Sequence, residues 1–249
     1  MIPKIAPKPD RSRYFYTIAS ASLLVLTFIG FKLFYLQGQA FPGRPLTPPI
    51  RTLLITHGVL MTAWMLLSVL QPLLVATGRK RVHMTLGIFA TLMAVAIVLV
   101  TYWTAIHAAR VNPPDLKLFG LNQKEFLTVP LMGVATFAGF VLGGIVNRRR
   151  PEVHRPLMFM ASLSVVAAAM GRMPVLNNWY AGTWLEHWFS AFVTTLALGA
   201  LLLAIKCVLE RRCDRWFALA FGILAVACVS ASLVAKTDAW LRLANLLTQ

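Results

Sequence analysis

The chain has 249 residues, 58% of them apolar and only 13% charged, with a net charge of +16. A soluble domain carries about 25% charged residues, so this composition excludes a soluble core and leaves no soluble, aromatic-interleaved basic surface to grip a nucleic acid. The apolar residues form blocks that are hydrophobic on every face, such as 20–36 and 90–103, and a bilayer core about 30 Å thick takes about 20 such residues per helix.

The N-terminal segment is basic, with Lys4, Lys8, Arg11 and Arg13 ahead of an apolar run at 14–36. That run is too long for a signal-peptide core and no small-residue cleavage pattern follows it, so it is expected to remain as a first span. Six more are expected at 53–77, 84–106, 126–146, 157–175, 184–207 and 216–236. Basic triplets follow the second span (Arg79, Lys80, Arg81), the fourth (Arg148, Arg149, Arg150) and the sixth (Arg211, Arg212, Arg215). All three fall on the side of the basic N-terminus, so the positive-inside rule places the N-terminus inside and the C-terminus outside. The expectation is an all-α fold, a single transmembrane domain over 1–249 with seven helices, in the inner membrane of a bacterium.

Several features mark these spans. Gln71 and Pro72 sit deep in the second, where the amide needs a partner inside the bundle and the proline is expected to kink the helix. The fourth contains Gly133, Gly139, Gly143 and Gly144, and the Gly139–Gly143 spacing reads as a close helix contact. Val82-His83-Met84-Thr85-Leu86 and Val153-His154-Arg155-Pro156-Leu157 each follow a basic turn. Spans two–three and four–five therefore read as parallel copies of one hairpin. Trp179, Tyr180, Trp184 and Trp188 read as an aromatic belt at the outer interface. Cys207 and Cys213 flank a turn expected in the reducing cytoplasm, which argues against a bridge, and Cys228 lies in the last span.

Five histidines carry the functional reading. By this topology His57, His107 and His187 lie toward the outer face and His83 and His154 toward the inner face. Imidazoles in a bilayer face the bundle interior, a cavity or the headgroups. A b-type haem takes two axial imidazoles from facing helices, which would pair His57 with His187 and His83 with His154. Alternatively His57, His107 and His187 would hold one transition metal ion, with Glu186 as a further ligand. The plain alternative is that these residues face headgroups at the ends of their spans. Arg172 could clasp a haem propionate, a quinone oxygen or a substrate carboxylate through its guanidinium fork, or snorkel to outer phosphates. No P-loop, nucleophile elbow or zincin motif is present.

The stretch His57-Gly58, Trp64, Gln71, Arg79-Lys80-Arg81, His83 and Leu86-Gly87 resembles a group of bacterial multi-pass membrane proteins known as domains of unknown function. The spread of histidines over four helices is similar to that of cytochrome b561-type proteins, which bind two haems; that resemblance implies His57, His187, His83 and His154 as ligands. Three functions are open: a haem- or metal-binding protein moving electrons between a quinol-type donor and a redox partner, a cofactor-free small-solute transporter or channel, and an assembly subunit of a larger membrane complex. In each the surrounding partner is the lipid bilayer.

Overall fold

The computed structural model describes residues 12–41, 44–113 and 116–249; Lys4, Lys8 and Arg11 lie outside the described residues. The fold is an all-α bundle. Its helices are α1 (Phe15–Gly30), α2 (Lys32–Gln37), α3 (Arg51–Ala76), α4 (Lys80–Val111), α5 (Gln123–Phe126), α6 (Thr128–Val146), α7 (Pro151–Met170), α8 (Pro174–Asn177), α9 (Trp184–Phe189), α10 (Val193–Glu210), α11 (Arg215–Val234) and α12 (Asp238–Leu247). A two-stranded hairpin, β1 (Gln39–Phe41) and β2 (Arg44–Pro45), joins α2 to α3. Among the described residues six helical segments are long and apolar enough to cross a membrane, and α1 is a shorter apolar helix.

The first expected span is two helices rather than one: α1 ends at Gly30 and α2 starts at Lys32, with Phe31 between them. Its 16 residues give α1 a length of about 24 Å at 1.5 Å per residue, short of the bilayer core by itself. The chain between α3 and α4, between α6 and α7 and between α10 and α11 turns tightly, so each pair is an antiparallel hairpin. α7 is the central helix. In its apolar window 67% of residues are buried, against 22–39% in the other five, and it packs on α1, α3, α6, α10 and α11. Small residues make this possible: Ala161, Ser162, Ser164, Ala167 and Ala169 are buried along its length, letting neighbouring backbones come close.

The three basic turns gather at one end of the bundle, with the start of α1. Arg13 Nε donates to the Ala76 carbonyl at 2.8 Å, the Arg150 guanidinium lies 5.4 Å from the Trp216 ring centre, and Lys206 lies over the rings of Phe15 and Tyr16. This is the end that the positive-inside rule assigns to the cytoplasm.

The glycine contact of α6 differs from the expected spacing. A Cβ at Gly139 would meet nothing within 4 Å, whereas one at Gly143 would lie 3.3 Å from Leu157 and one at Gly144 2.6 Å from the Met158 sulfur. The close approach to α7 therefore runs through the adjacent pair Gly143–Gly144. The sixth expected span is interrupted as well: Ser190 takes φ 47° and ψ −127°, and a 3-10 turn at Ser190–Phe192 joins α9 to α10. This backbone geometry favours glycine, and for an L-residue such a conformation costs on the order of 1–3 kcal/mol. The Ser190 hydroxyl offsets little of this, being buried without a hydrogen-bond partner. Ser190→Gly is accordingly expected to stabilise the protein by about 1 kcal/mol, read as a higher unfolding temperature in detergent; an unchanged or lower value would refute the strain.

One element has no counterpart among the expected spans. α12 lies against α5 and the end of α4: Arg110 donates to the Leu247 carbonyl at 3.1 Å, Trp240 Nε1 donates to the Lys124 carbonyl at 2.9 Å, and Lys124 bonds the Asn245 side chain. Ala244 is buried in a small satellite core with Ala105, Ile106 and Leu127. Its outward leucines, Leu243 and Leu246, stay exposed, the pattern of a helix lying along a membrane surface.

Candidate functional site

The site begins on α3. His57, Trp64 and Gln71 are seven residues apart, two helical turns each, and so share one face of the helix. At 1.5 Å per residue this stripe is about 21 Å long, most of the thickness of a bilayer core. Each member makes a cross-helix polar contact. His57 Nδ1 lies 3.2 Å from Thr101 Oγ1 of α4. Trp64 is 3% exposed, and its Nε1 donates to Ser162 Oγ of α7 at 3.1 Å while its ring meets Phe137 of α6 edge-on at 4.8 Å. The mid-bundle is thus closed by one indole that touches both hairpins. Trp64→Phe would leave the buried Ser162 hydroxyl without this donor and is expected to cost about 1–3 kcal/mol, and adding Ser162→Ala should recover part of it. Additive losses in the double variant would show that the bond contributes nothing.

Gln71 ends the stripe at the basic-turn end. In the amide orientation that satisfies both its ends, its NH2 donates to His83 Nδ1 and to the His83 carbonyl, and its oxygen accepts from the Gly87 N–H. The half-buried amide, expected to need a partner, finds three, all on the first turns of α4. His83 faces His154: their ring centres are 6.4 Å apart with planes at 87°. Each is the fourth residue of its helix, α4 and α7 respectively. The two histidines of the repeated motif therefore meet where the two hairpins come together. His154 Nδ1 donates to the Gly144 carbonyl at 2.8 Å, which leaves the other ring nitrogen as the lone-pair position in the neutral ring.

The outer histidines do not converge. His57 turns to α4, His107 Nδ1 donates back to its own helix at the Trp103 carbonyl (2.9 Å), and His187 Nδ1 accepts from Lys236 Nζ at 3.3 Å. α9, which carries His187, packs on α10 and α11, while α3, which carries His57, packs on α1, α4 and α7. An axial pair of His57 with His187 therefore has no support in these contacts. Likewise, among the described residues no group of three or more His, Cys, Asp or Glu side chains is placed to hold a metal ion, so the expected His57, His107 and His187 cluster finds no support there. Glu186 instead accepts from the Gly182 N–H at 2.7 Å.

Arg172 has a structural setting. Its Nη1 donates to the Ala168 carbonyl at 2.7 Å, closing the end of α7, and its guanidinium lies 4.4 Å from the centre of the Phe31 ring. Nearby, Asn177 Nδ2 donates to the carbonyls of Met170, Gly171 and Met173, and Tyr180 donates its hydroxyl to Asn177 Oδ1. Burial pushes the Tyr180 phenol up to about 12, so it stays a donor. Tyr180 is fully buried and belongs to this cap, whereas Trp179, Trp184 and Trp188 are exposed as an aromatic belt requires.

A second polar cluster lies between the end of α10 and the start of α11, and the span reading passed over it. Lys206 is 3% exposed; it pairs with Glu210 and, at 3.1 Å, with Asp214, over the Phe15 and Tyr16 rings at 5.4 and 5.2 Å. The signal was available as a lysine inside an apolar helix with a carboxylate four residues on. Comparison with protein-family models, curated proteins and solved structures finds no match to the chain.

Proposed function

We propose that the protein carries charge across the membrane along the inward face of α3, with His83 and His154 as the group that holds the carrier, a b-type haem iron. The observation that carries this reading is the 6.4 Å between their ring centres. Two metal–nitrogen bonds of about 2 Å and the two ring radii together come to roughly that distance. A haem needs only two protein ligands, so the lack of a larger ligand cluster does not count against it. His83 and His154 would be the residues that hold it, and the haem would supply one-electron chemistry.

The chain's own residues do the rest. The Gly144 carbonyl fixes the orientation and proton position of His154, as an outer-shell acceptor does for a ligating imidazole. For its other nitrogen to reach the iron, His83 would carry its proton on Nδ1, so Gln71 would hold it with the amide turned, its oxygen accepting there in place of the NH2. Trp64 with Phe137 seals the bundle beyond the pair. A quinol-type donor and a redox partner remain the expected exchange partners.

A second reading rests on one hydrogen bond. With the Gln71 amide donating to His83 Nδ1, the neutral His83 ring carries its proton on the other nitrogen and is a donor, while His154 is an acceptor. Such a complementary pair suits a proton relay or a polar gate of a cofactor-free transporter, where intramembrane histidines recur.

The two readings separate in one experiment. The detergent-purified protein is scanned oxidised and then dithionite-reduced, with metal analysis on the same sample. A Soret band that sharpens on reduction, lost in His83→Ala and in His154→Ala but kept in His107→Ala, supports the haem reading. A colourless, metal-free protein from haem-supplied cells rules it out; vesicles containing that protein should then dissipate a pH gradient, and His154→Ala should abolish the leak.

A further inference from the structure

Two of the three basic turns meet over one tryptophan. Trp216 stands at the start of α11, half-buried, and the guanidinium of Arg215, its neighbour in the chain, lies 5.4 Å from its ring centre. The Arg150 guanidinium, from the turn between α6 and α7, lies at the same 5.4 Å. One arginine thus comes from each of two hairpins, and α11 packs on both α6 and α7. A guanidinium resting on an indole face keeps the N–H groups at its edge for a second partner. Both arginines are exposed, as are the other arginines of the same two turns.

The carboxylates that could neutralise this charge are engaged elsewhere or weakly. Glu210 and Asp214 pair with the buried Lys206. Glu152 reaches Arg150 at 3.4 Å, but both side chains are more than half exposed, and water screens such a pair. Among the described residues no carboxylate pairs with Arg215. Further along α11, Leu219, Ile223 and Val226 follow Arg215 at helical spacing, which places them along one face, and all three are exposed. A doubly cationic head therefore stands at the end of an uncovered apolar stripe, at the membrane face that the positive-inside rule assigns to the cytoplasm.

We infer that Arg150, Arg215 and Trp216 form a binding site for an anionic phospholipid of the cytoplasmic leaflet. The two guanidinium edges take the phosphate oxygens through charge-assisted hydrogen bonds, and the acyl chains lie along Leu219, Ile223 and Val226. Basic pockets between helices at this face suit acidic headgroups. The stripe favours a lipid over a free phosphate or an acidic peptide, since neither of those covers apolar surface inside the hydrocarbon layer. A lipid held there bridges the α6–α7 and α10–α11 hairpins, and it binds whatever the histidine pair holds.

The test takes the full-length protein, delipidated in a neutral detergent, and titrates it with phosphatidylglycerol or with phosphatidylcholine of the same acyl chains. Native mass spectrometry counts the bound lipid. Phosphatidylglycerol should bind about tenfold more tightly or better, since each arginine near the surface contributes about fivefold. Arg150→Gln with Arg215→Gln should weaken phosphatidylglycerol by about twentyfold and leave phosphatidylcholine unchanged. Arg79→Gln with Arg81→Gln removes the same charge from the α3–α4 turn and should cost about twofold or less, as diffuse surface charge does. Equal affinity of the parent protein for the two lipids, or equal losses in the two double variants, would overturn the proposal. Displacement of the lipid by millimolar glycerol phosphate would overturn it too, by showing a site for soluble phosphates.

Discussion

Lys206→Met is expected to destabilise the protein by about 3–5 kcal/mol, the cost of removing one partner from a buried ion cluster. Lys206 is 3% exposed, and the side chains of Glu210 and Asp214 are each only 17% exposed. Methionine matches the lysine stem in length and can rest on the Phe15 and Tyr16 rings, so packing is largely kept. What is lost is, among the described residues, the one cation paired with two half-sealed carboxylates, two of only eight acidic residues in the chain. The cost should therefore fall mainly on those carboxylates. Adding Glu210→Gln and Asp214→Asn to Lys206→Met removes both charges, and asparagine still caps α11 as well as aspartate does. The triple variant is expected to recover at least half of the loss, since replacing a whole buried ion cluster is far cheaper than breaking it. Unfolding in a denaturing detergent series would measure both variants against the parent protein. A triple variant as unstable as the single one would mean that Lys206 acts through packing over the aromatic rings.

The same cluster shows where the amino-acid sequence is easy to read and where it is not. The bodies of the spans were legible because lipid imposes a length and a polarity that no neighbour alters. The bundle order was not, because apolar surfaces against lipid look like apolar surfaces against helices. Hence the His57–His187 pairing, which needed α3 beside α9, has no support, while His83 and His154, tied to a repeated turn and helix start, do meet. The outer histidines illustrate a second limit: a histidine near a span end satisfies itself on whatever is local, a threonine, its own helix or a lysine. Nothing in Phe189-Ser190-Ala191-Phe192 signals a helix break, since neither Gly nor Pro is there. α12 was missed because its apolar residues alternate with polar ones below the threshold of a span, though their helical spacing was legible as a surface helix. Lys206 was read as part of an apolar run because one charge barely moves a hydropathy average.

Gly30→Val is expected to cost about 3 kcal/mol or more, with Gly30→Ala only slightly milder. A Cβ at Gly30 would lie 2.3 Å from the Ala169 carbonyl oxygen, 2.7 Å from its carbonyl carbon and 2.8 Å from its Cα. All three are backbone atoms of the central helix, so no side chain can swing aside, and α1 must move away from α7 as a body. Overpacking a core usually costs about 1–3 kcal/mol through local adjustment; here the adjustment would separate two helices. Two other contacts go with it. Phe31, the next residue, lies under the Arg172 guanidinium, and the other end of α1 supplies the Phe15 and Tyr16 rings beneath Lys206. Gly139→Ala is the control, because its Cβ meets nothing within 4 Å and alanine favours a helix over glycine by about 1 kcal/mol. It should be neutral or stabilising. If both substitutions prove equally mild in the same unfolding assay, α1 is loosely docked, and the ion cluster it underlies would then have to be held by α10 and α11 alone.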